Sequence, residues 1–540
     1  MRSTRIAPLV AISAVAALVP ALTPAVASAD APAPRRALST APFKPYTQQT
    51  PHWKRCAAQA PANYQCATLK VPLDYARPGG KKLEVAVSRI KATNPQKRHG
   101  VLLLNPGGPG GPGLDMPLWM GPELPTAVKE QYDLIGFDPR GVGQSSPVSC
   151  GLNDDELNWQ RPYKATTFAK DVRWARTVAD KCRAKAGDVL PHLTTRNTAR
   201  DMDIIRAVLG EKKISYLGYS YGTYLGAVYT QMFPKQTDRF VLDSAVDPQR
   251  IWRGMIQVWA EGAEPAFKRW SRWTAERHTT YGLGDTSAEV SKTFWDLVAQ
   301  ADRKPIDFQG MPLTGDDIRA GRAMFFDVKG AAEAIAELKK AAAGAPSAAP
   351  SKQGTSPRPV PPSFDRAVPS DNSDAAFWAV ACADTRSWPR DPEQYRRDAM
   401  RDKAKYPLYG DFASNIKACA FWKNGSEPAT TVDNSVGALV LQNEWDSQTP
   451  LVSGQGLHRS MKGSRMVTVL GGQGHGIYGS KSCADKTATA YLTTGRLPAA
   501  DVTCRATPAQ AQNRLDLPLP TPQGLPQRQG PLLTDTADRR

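Results

Sequence analysis

Apolar residues in this chain gather in short runs separated by polar and small residues. From position 83 onward the runs lie at 83–90, 101–104, 132–137, 214–217, 240–242, 438–441 and 466–470. Several are continuous rather than alternating, which is the pattern of strands buried on both faces of a parallel sheet. Between two of them, residues 199–209 place Met202, Ile205, Val208 and Leu209 at helical spacing. Strands separated by helices predict an α/β chain with a doubly wound, mostly parallel sheet.

The interval 248–432 breaks this rhythm. It is rich in tryptophan and in helix formers, including the run AAEAIAELKKAAA at 331–343. It predicts an inserted, mainly helical cap domain, with a Pro/Ser/Ala-rich loop at 345–362. The core is then expected in two parts, 51–247 and 433–505, forming an α/β-hydrolase fold. Residues 30–50 read as a flexible leader or propeptide and 506–540 as a disordered tail.

Arg2 and Arg5 precede an apolar stretch at 6–19 and then Ala27-Ser28-Ala29. This is the charged, apolar, A-x-A order of a secretory signal peptide cut after Ala29. The stretch is too short for a membrane span and is broken by Pro8, Pro20 and Pro24. Secretion without stable membrane association is the expectation. An even count of eight cysteines agrees with an exported chain. They fall into sequence-local pairs, predicting disulfides Cys56–Cys66, Cys150–Cys182, Cys382–Cys419 and Cys483–Cys504. None has metal or redox spacing. The net charge of +18 is scattered, without a basic run of five residues, so it indicates a solvated surface rather than a nucleic-acid site. No metal or cofactor is expected, and the chain is expected to be a monomer.

Gly218-Tyr219-Ser220-Tyr221-Gly222 follows the run 214–217 and precedes a helical-looking segment. Strand, sharp turn and helix form the setting of a nucleophile elbow, which makes Ser220 the candidate nucleophile. Upstream, directly after the run 101–104, stands Asn105-Pro106-Gly107-Gly108-Pro109-Gly110-Gly111-Pro112-Gly113. Gly108, Gly110 and Gly113 fit a dinucleotide fingerprint by spacing. However, Pro109 and Pro112 remove N–H donors that pyrophosphate would need. An oxyanion loop is the better reading, with the Gly108 and Tyr221 amides as donors.

The order Ser, acid, His leaves His278, His458 and His475 as possible bases. His475 lies in a glycine loop just past the run 466–470, where it can reach the C-terminal edge of the sheet. His278 and His458 lie in helical-looking contexts and read as surface residues. The acid should follow the run 438–441, where Glu444 and Asp446 both stand. Asp138 precedes Ser220 and reads as structural, paired with Arg140 in its turn.

Taken together, NPGGPGGPG (105–113), FDPRGVGQS (137–145), GYSYGTYLGAVY (218–229), DSQTP (446–450), GQGHG (472–476) and YLTTGRLP with its following Cys504 resemble one family. It is that of the secreted bacterial tripeptidyl aminopeptidases, relatives of the proline iminopeptidases, over residues 50–505. The resemblance implies that Asp446, before a Thr-Pro pair, is the triad acid. It also implies release of short peptides, mostly tripeptides and in some cases tetrapeptides, from free N-termini, with proline favoured before the scissile bond. One departure is Glu444-Trp445, bulkier than the small residues such a chain would carry there. Such exopeptidases hold the substrate's ammonium with carboxylates, for which Glu444 and Asp247 are the candidates. Two other functions fit the same residues: a secreted carboxylesterase or lipase, and a non-catalytic binding protein on a hydrolase fold. The charged cap argues against a lipase lid, and the complete Ser, His, Asp and glycine loop argue against a binding protein.

Overall fold

The computed structural model describes residues 41–345, 366–423 and 425–506. The signal peptide, most of the leader, all but the first residue of the 345–362 loop and of the tail lie outside the described residues.

Among the described residues, twelve strands occur in chain order. They are β1 (Lys54–Arg55), β2 (Gln65–Pro72), β3 (Lys82–Ile90), β4 (Gly100–Asn105), β5 (Tyr132–Phe137), β6 (Ile214–Tyr219), β7 (Thr237–Asp243), β8 (Ile306–Phe308), β9 (Met311–Leu313), β10 (Leu439–Trp445), β11 (Arg465–Gln473) and β12 (Val502–Arg505). Ten form one sheet in the order β1-β2-β3-β5-β4-β6-β7-β10-β11-β12. From β5 to β12 every pairing is parallel, whereas β1, β2 and β3 join as antiparallel strands at one edge. Every residue of β4 and β6 is buried, as their continuous apolar sequences require.

Each face of the sheet carries helices. The amphipathic helices Phe168–Ala186 and Thr195–Val208 pack with Tyr221–Met232 over one apolar layer. Met116–Glu123 and Cys483–Thr494 cover the other, against Leu102, Leu104, Leu217 and Val467. This is the doubly wound α/β-hydrolase architecture, and it puts β6, with Ser220 at its end, in the middle of the sheet.

The insertion lies between β7 and β10, and it divides in two. Helix Arg253–Ala275 begins in the main core, through Met255, Ile256, Val258, Trp259 and Ala260, and from Ala263 onward joins Ser287–Arg303 and Val328–Ala342 around a separate core of Trp270, Phe294, Phe325 and Leu338, beside the β8–β9 hairpin. The second half is no cap: helix Asn372–Ala383 and residues Ala418–Ala420 sit inside the main core. The sequence NSDAAFWAVACA explains this difference from the expected 248–432 cap. It has little polar face to offer water, and from Ala375 to Ala383 every side chain is buried.

The leader also ends earlier than residue 50. Residues Lys44–Thr47 form a short helix, and Phe43 and Tyr46 are buried in the main core, where the Phe43 ring packs on Tyr75. Two aromatic side chains in so short a segment supply enough apolar area to hold it against the domain. Four disulfides join Cys56–Cys66, Cys150–Cys182, Cys382–Cys419 and Cys483–Cys504, and no described cysteine is free. Among the described residues, no helix is long and apolar enough to cross a membrane.

Candidate active site

Ser220 sits between the last residue of β6 and the first residue of helix Tyr221–Met232, at φ +56°. A non-glycine residue in this left-handed region is strained, and the surroundings hold it there. Its amide donates to the Asp243 carbonyl at 3.0 Å, while its own carbonyl accepts from the Thr223 amide and hydroxyl. The flanking glycines are steric necessities. A Cβ on Gly218 would meet the Tyr216 ring at 2.5 Å, and one on Gly222 would meet Asn105 Oδ1 at 2.7 Å.

The glycine loop after β4 packs directly on this turn. A Cβ on Gly107 would lie 2.8 Å from Ser220 Cβ and 3.3 Å from the Tyr221 nitrogen. Asn105 Oδ1 takes the Gly107 amide at 3.0 Å, which leaves the next amide, Gly108, as the loop's candidate donor. The Tyr221 amide belongs to a helix first turn and has no intrahelical acceptor. Both expected donors therefore lie in the loop and turn that meet at Ser220.

His475 and Asp446 meet across β10 and β11. His475 Nδ1 is 2.9 Å from both Asp446 oxygens, and both side chains are buried. Asp446 also accepts from the Gln448 and Thr449 amides and from Thr449 Oγ1. Burial alone would raise its pKa. The neighbouring imidazole and these donors overcome that and hold it below the usual carboxylate range. The Nε2 on the far edge of the ring is buried and has no hydrogen-bond partner.

What carries the His475 loop to the serine is a pair of residues that the sequence reading passed over. Asp243 ends β7, beside Tyr219 in register. Its Oδ2 accepts the Ile477 and Tyr478 amides at 3.0 and 2.7 Å, and Ser244 Oγ accepts the Gly476 amide at 2.8 Å. The Ser244 amide donates to Leu441 of β10. Asp243 and Ser244 thus tie the Ser220 turn, the acid strand and the histidine loop to one point. Burial pushes the Asp243 carboxyl up to about 7, against the opposing pull of those donors and of His475. The available signal was an Asp-Ser pair at the C-terminal end of a buried strand, where α/β sheets place their working groups.

The other sequence candidates fall elsewhere. Glu444 stands near the end of β10, partly exposed, with Oε2 accepting the Gly471 amide; it does not bond the imidazole. Asp247 is buried, caps the turn Pro248–Arg250 through the Gln249 amide and packs against Gly456. His278 is exposed, and His458 pairs with Ser464 and Asp501. Asp138 is structural, but not through Arg140. It accepts the Gly113, Leu114 and Gln144 amides, while Arg140 forms a buried pair with Asp201. Among the described residues, no group of three His, Cys, Asp or Glu side chains is disposed to hold a metal ion.

A buried serine turn, a glycine loop against it and a carboxylate–imidazole pair are the parts that acyl transfer needs. Comparison with known proteins gives the same direction. A family model described as "alpha/beta hydrolase fold" matches residues 100–294, and one described as "TAP-like protein" matches 406–504. The chain is 36% identical over 488 residues to a tripeptidyl aminopeptidase of Streptomyces lividans, covering 84% of this chain and 87% of that one. It is 30% identical to the serine protease Hip1 of Mycobacterium tuberculosis, covering 85% and 92%. It is also 28% identical to a carboxylesterase B of the same species, covering 82% and 86%.

Proposed function

This chain belongs to the tripeptidyl aminopeptidase family of α/β-hydrolases, and on that premise we propose that it is a secreted exopeptidase using Ser220, His475 and Asp446. It releases short peptides, tripeptides foremost, from free N-termini of peptides and proteins, with proline favoured before the scissile bond. The observation that carries the reading is the His475 ring, bonded to Asp446 through Nδ1 and unbonded at Nε2. That ring is held beside the elbow by Asp243.

In this scheme Ser220 Oγ attacks the substrate carbonyl carbon as its proton passes to His475 Nε2. Asp446 stabilises the imidazolium and fixes its tautomer. The carbonyl oxygen becomes an oxyanion between the Gly108 and Tyr221 amides, each such donor being worth about 2.7–4 kcal/mol of barrier. His475 then returns the proton to the leaving amine. A water, deprotonated by the same ring, releases the acyl group from Ser220. This structure contains no Ser220–His475 hydrogen bond. Such bonds often tighten only with substrate in place.

The ammonium end of the substrate requires a carboxylate near the C-terminal end of the sheet. Of the two considered, Asp247 is committed to capping and helix contact, so Glu444 is the one we assign. Its Oε2 holds one backbone amide, near the C-terminal end of β10. Secretion is supported by the N-terminal charged, apolar, A-x-A order and by the four disulfides.

The test uses one peptide with a free amine and the same peptide N-acetylated, with products read by mass spectrometry. Acetylation leaves the anchoring carboxylate unpaired, a loss of about 2–5 kcal/mol in comparable charge pairs. Cleavage should fall by at least about 30-fold. Equal cleavage of the two would remove the aminopeptidase and leave a serine hydrolase, the activity class of the carboxylesterase relative. Export predicts a secreted product whose N-terminal residue is Asp30 or lies beyond it.

A further inference from the structure

Arg322 begins the short 3-10 helix Arg322–Phe326 in the cap, yet its guanidinium is buried against the core loop that carries Asp446. Nη1 donates to the Ser447 carbonyl at 2.8 Å, one residue beyond the acid. The planar group lies between the Trp259 and Tyr409 rings, 4.8 Å from each centroid. Trp259, on cap helix Arg253–Ala275, donates through Nε1 to the next carbonyl, that of Gln448. Gly262 of the same helix packs its backbone on Pro450. The insertion therefore grips the acid loop at three points, Ser447, Gln448 and Pro450.

The charge is the part that packing does not explain. Among the described residues, no carboxylate forms an ion pair with Arg322; the nearby anionic group that acts on it is Asp446. Burial lowers the Arg322 pKa, and Tyr409 and Asp446 oppose that. A buried cation without a salt-bridge partner is costly, and a neutral side chain could fill the same slot between two rings.

We propose that Arg322 is a positioning residue for the acid of the triad: its hold on the Ser447 carbonyl keeps the loop in the conformation that points Asp446 at His475 Nδ1. Its positive charge beside that loop also favours ionised Asp446. Without the guanidinium the loop loses this clamp and the Asp446–His475 bond loses its alignment. The proposal rests on the triad assigned above.

The experiment measures the rate of Ser220 labelling by a fluorophosphonate for wild type, Arg322→Lys and Arg322→Met. The probe needs no knowledge of the peptide substrate. Wild-type labelling confined to Ser220 keeps the underlying triad reading separate from this proposal. Arg322→Met should slow labelling by about 10–100-fold, and Arg322→Lys, which can still donate to the Ser447 carbonyl, should recover most of the rate. With a free-amine tripeptidyl p-nitroanilide, Arg322→Met should lower kcat more than it raises KM. Thermal melts accompany each variant. An unchanged labelling rate and kcat in Arg322→Met, with or without a lower Tm, would reduce Arg322 to a structural clamp. A rise in KM alone would make it a substrate contact. Either result overturns the proposal.

Discussion

Replacing Asp446 by asparagine tests the site most sharply, because the size is identical and only the acceptor set changes. Asp446 receives Gln448 N, Thr449 N and Thr449 Oγ1 from its own loop and His475 Nδ1 from the loop after the neighbouring strand β11. All these partners are donors, and the site is fully buried. An amide offers one oxygen and one NH2, so whichever way it turns, a donor meets a donor. If the NH2 faces the ring, His475 keeps its proton on Nε2 and cannot act as a base. If it faces the loop, the Thr449 and Gln448 amides lose their acceptor and the turn shifts. The comparable substitution in a serine protease triad lowers turnover by about 10⁴, or about 5.5 kcal/mol of barrier. We expect a kcat loss of about that size on a tripeptidyl p-nitroanilide, with KM changed by less than about threefold. Glu444→Gln exchanges one partly exposed backbone contact and should mainly raise KM. The fold should survive Asp446→Asn, as judged by far-UV circular dichroism and thermal melting. If Glu444→Gln gave the larger fall in kcat, Asp446 would not be the triad acid and the geometry above would have been misassigned.

Two further outcomes follow. A fluorophosphonate should attach once, to the peptide containing Ser220, and labelling undiminished in Ser220→Ala would end that assignment. Stability should also depend on pH in a direction unusual for carboxylates. Burial pushes Asp243 and Asp384 up to about 7 and Asp138 up to about 6. The folded protein then holds protons that the unfolded chain has released above about pH 4. Their contribution is complete below that pH and is lost as pH rises towards about 7. Asp446 acts oppositely, but only below about pH 4, since its folded value is the lower one. Tm should therefore rise as pH is lowered from about 8 to about 5, less steeply in Asp384→Asn; a flat or falling Tm over that range would refute the argument.

Most of the parallel strands were legible because they carry a continuous apolar run, and β6 with its G-x-S-x-G turn stands out for the same reason; β12, the short VTCR, carries none and escaped the reading. The antiparallel strand β2 was not legible, since QCATLKVP alternates buried and exposed side chains and carries no long apolar run. His475 and Asp446 could be read from their places just after strands. Asp243 was hidden because its role is made by backbone amides 234 and 235 residues away. Arg140 shows the limit from another side. A partner within its own turn was the local expectation, but the structure pairs it with Asp201, 61 residues on, because the helix Thr195–Val208 brings that carboxylate under the sheet edge. Arg322 is the extreme case. Nothing around it in the chain distinguishes it from the other basic residues of the cap.

The disulfides bear on how such a chain is made. Each joins a cysteine to the next one in sequence, with separations of 10, 32, 37 and 21 residues, so no loop encloses or crosses another. On the proposed export route, with the chain emerging vectorially from a translocation channel, each bridge can close before either member of the following pair has appeared. The first thiol to arrive then has only its native partner to meet. Oxidation in this order needs little reshuffling, and no bridge ties together the two halves of the sheet, which lie on either side of the insertion and meet only when β10 docks beside β7.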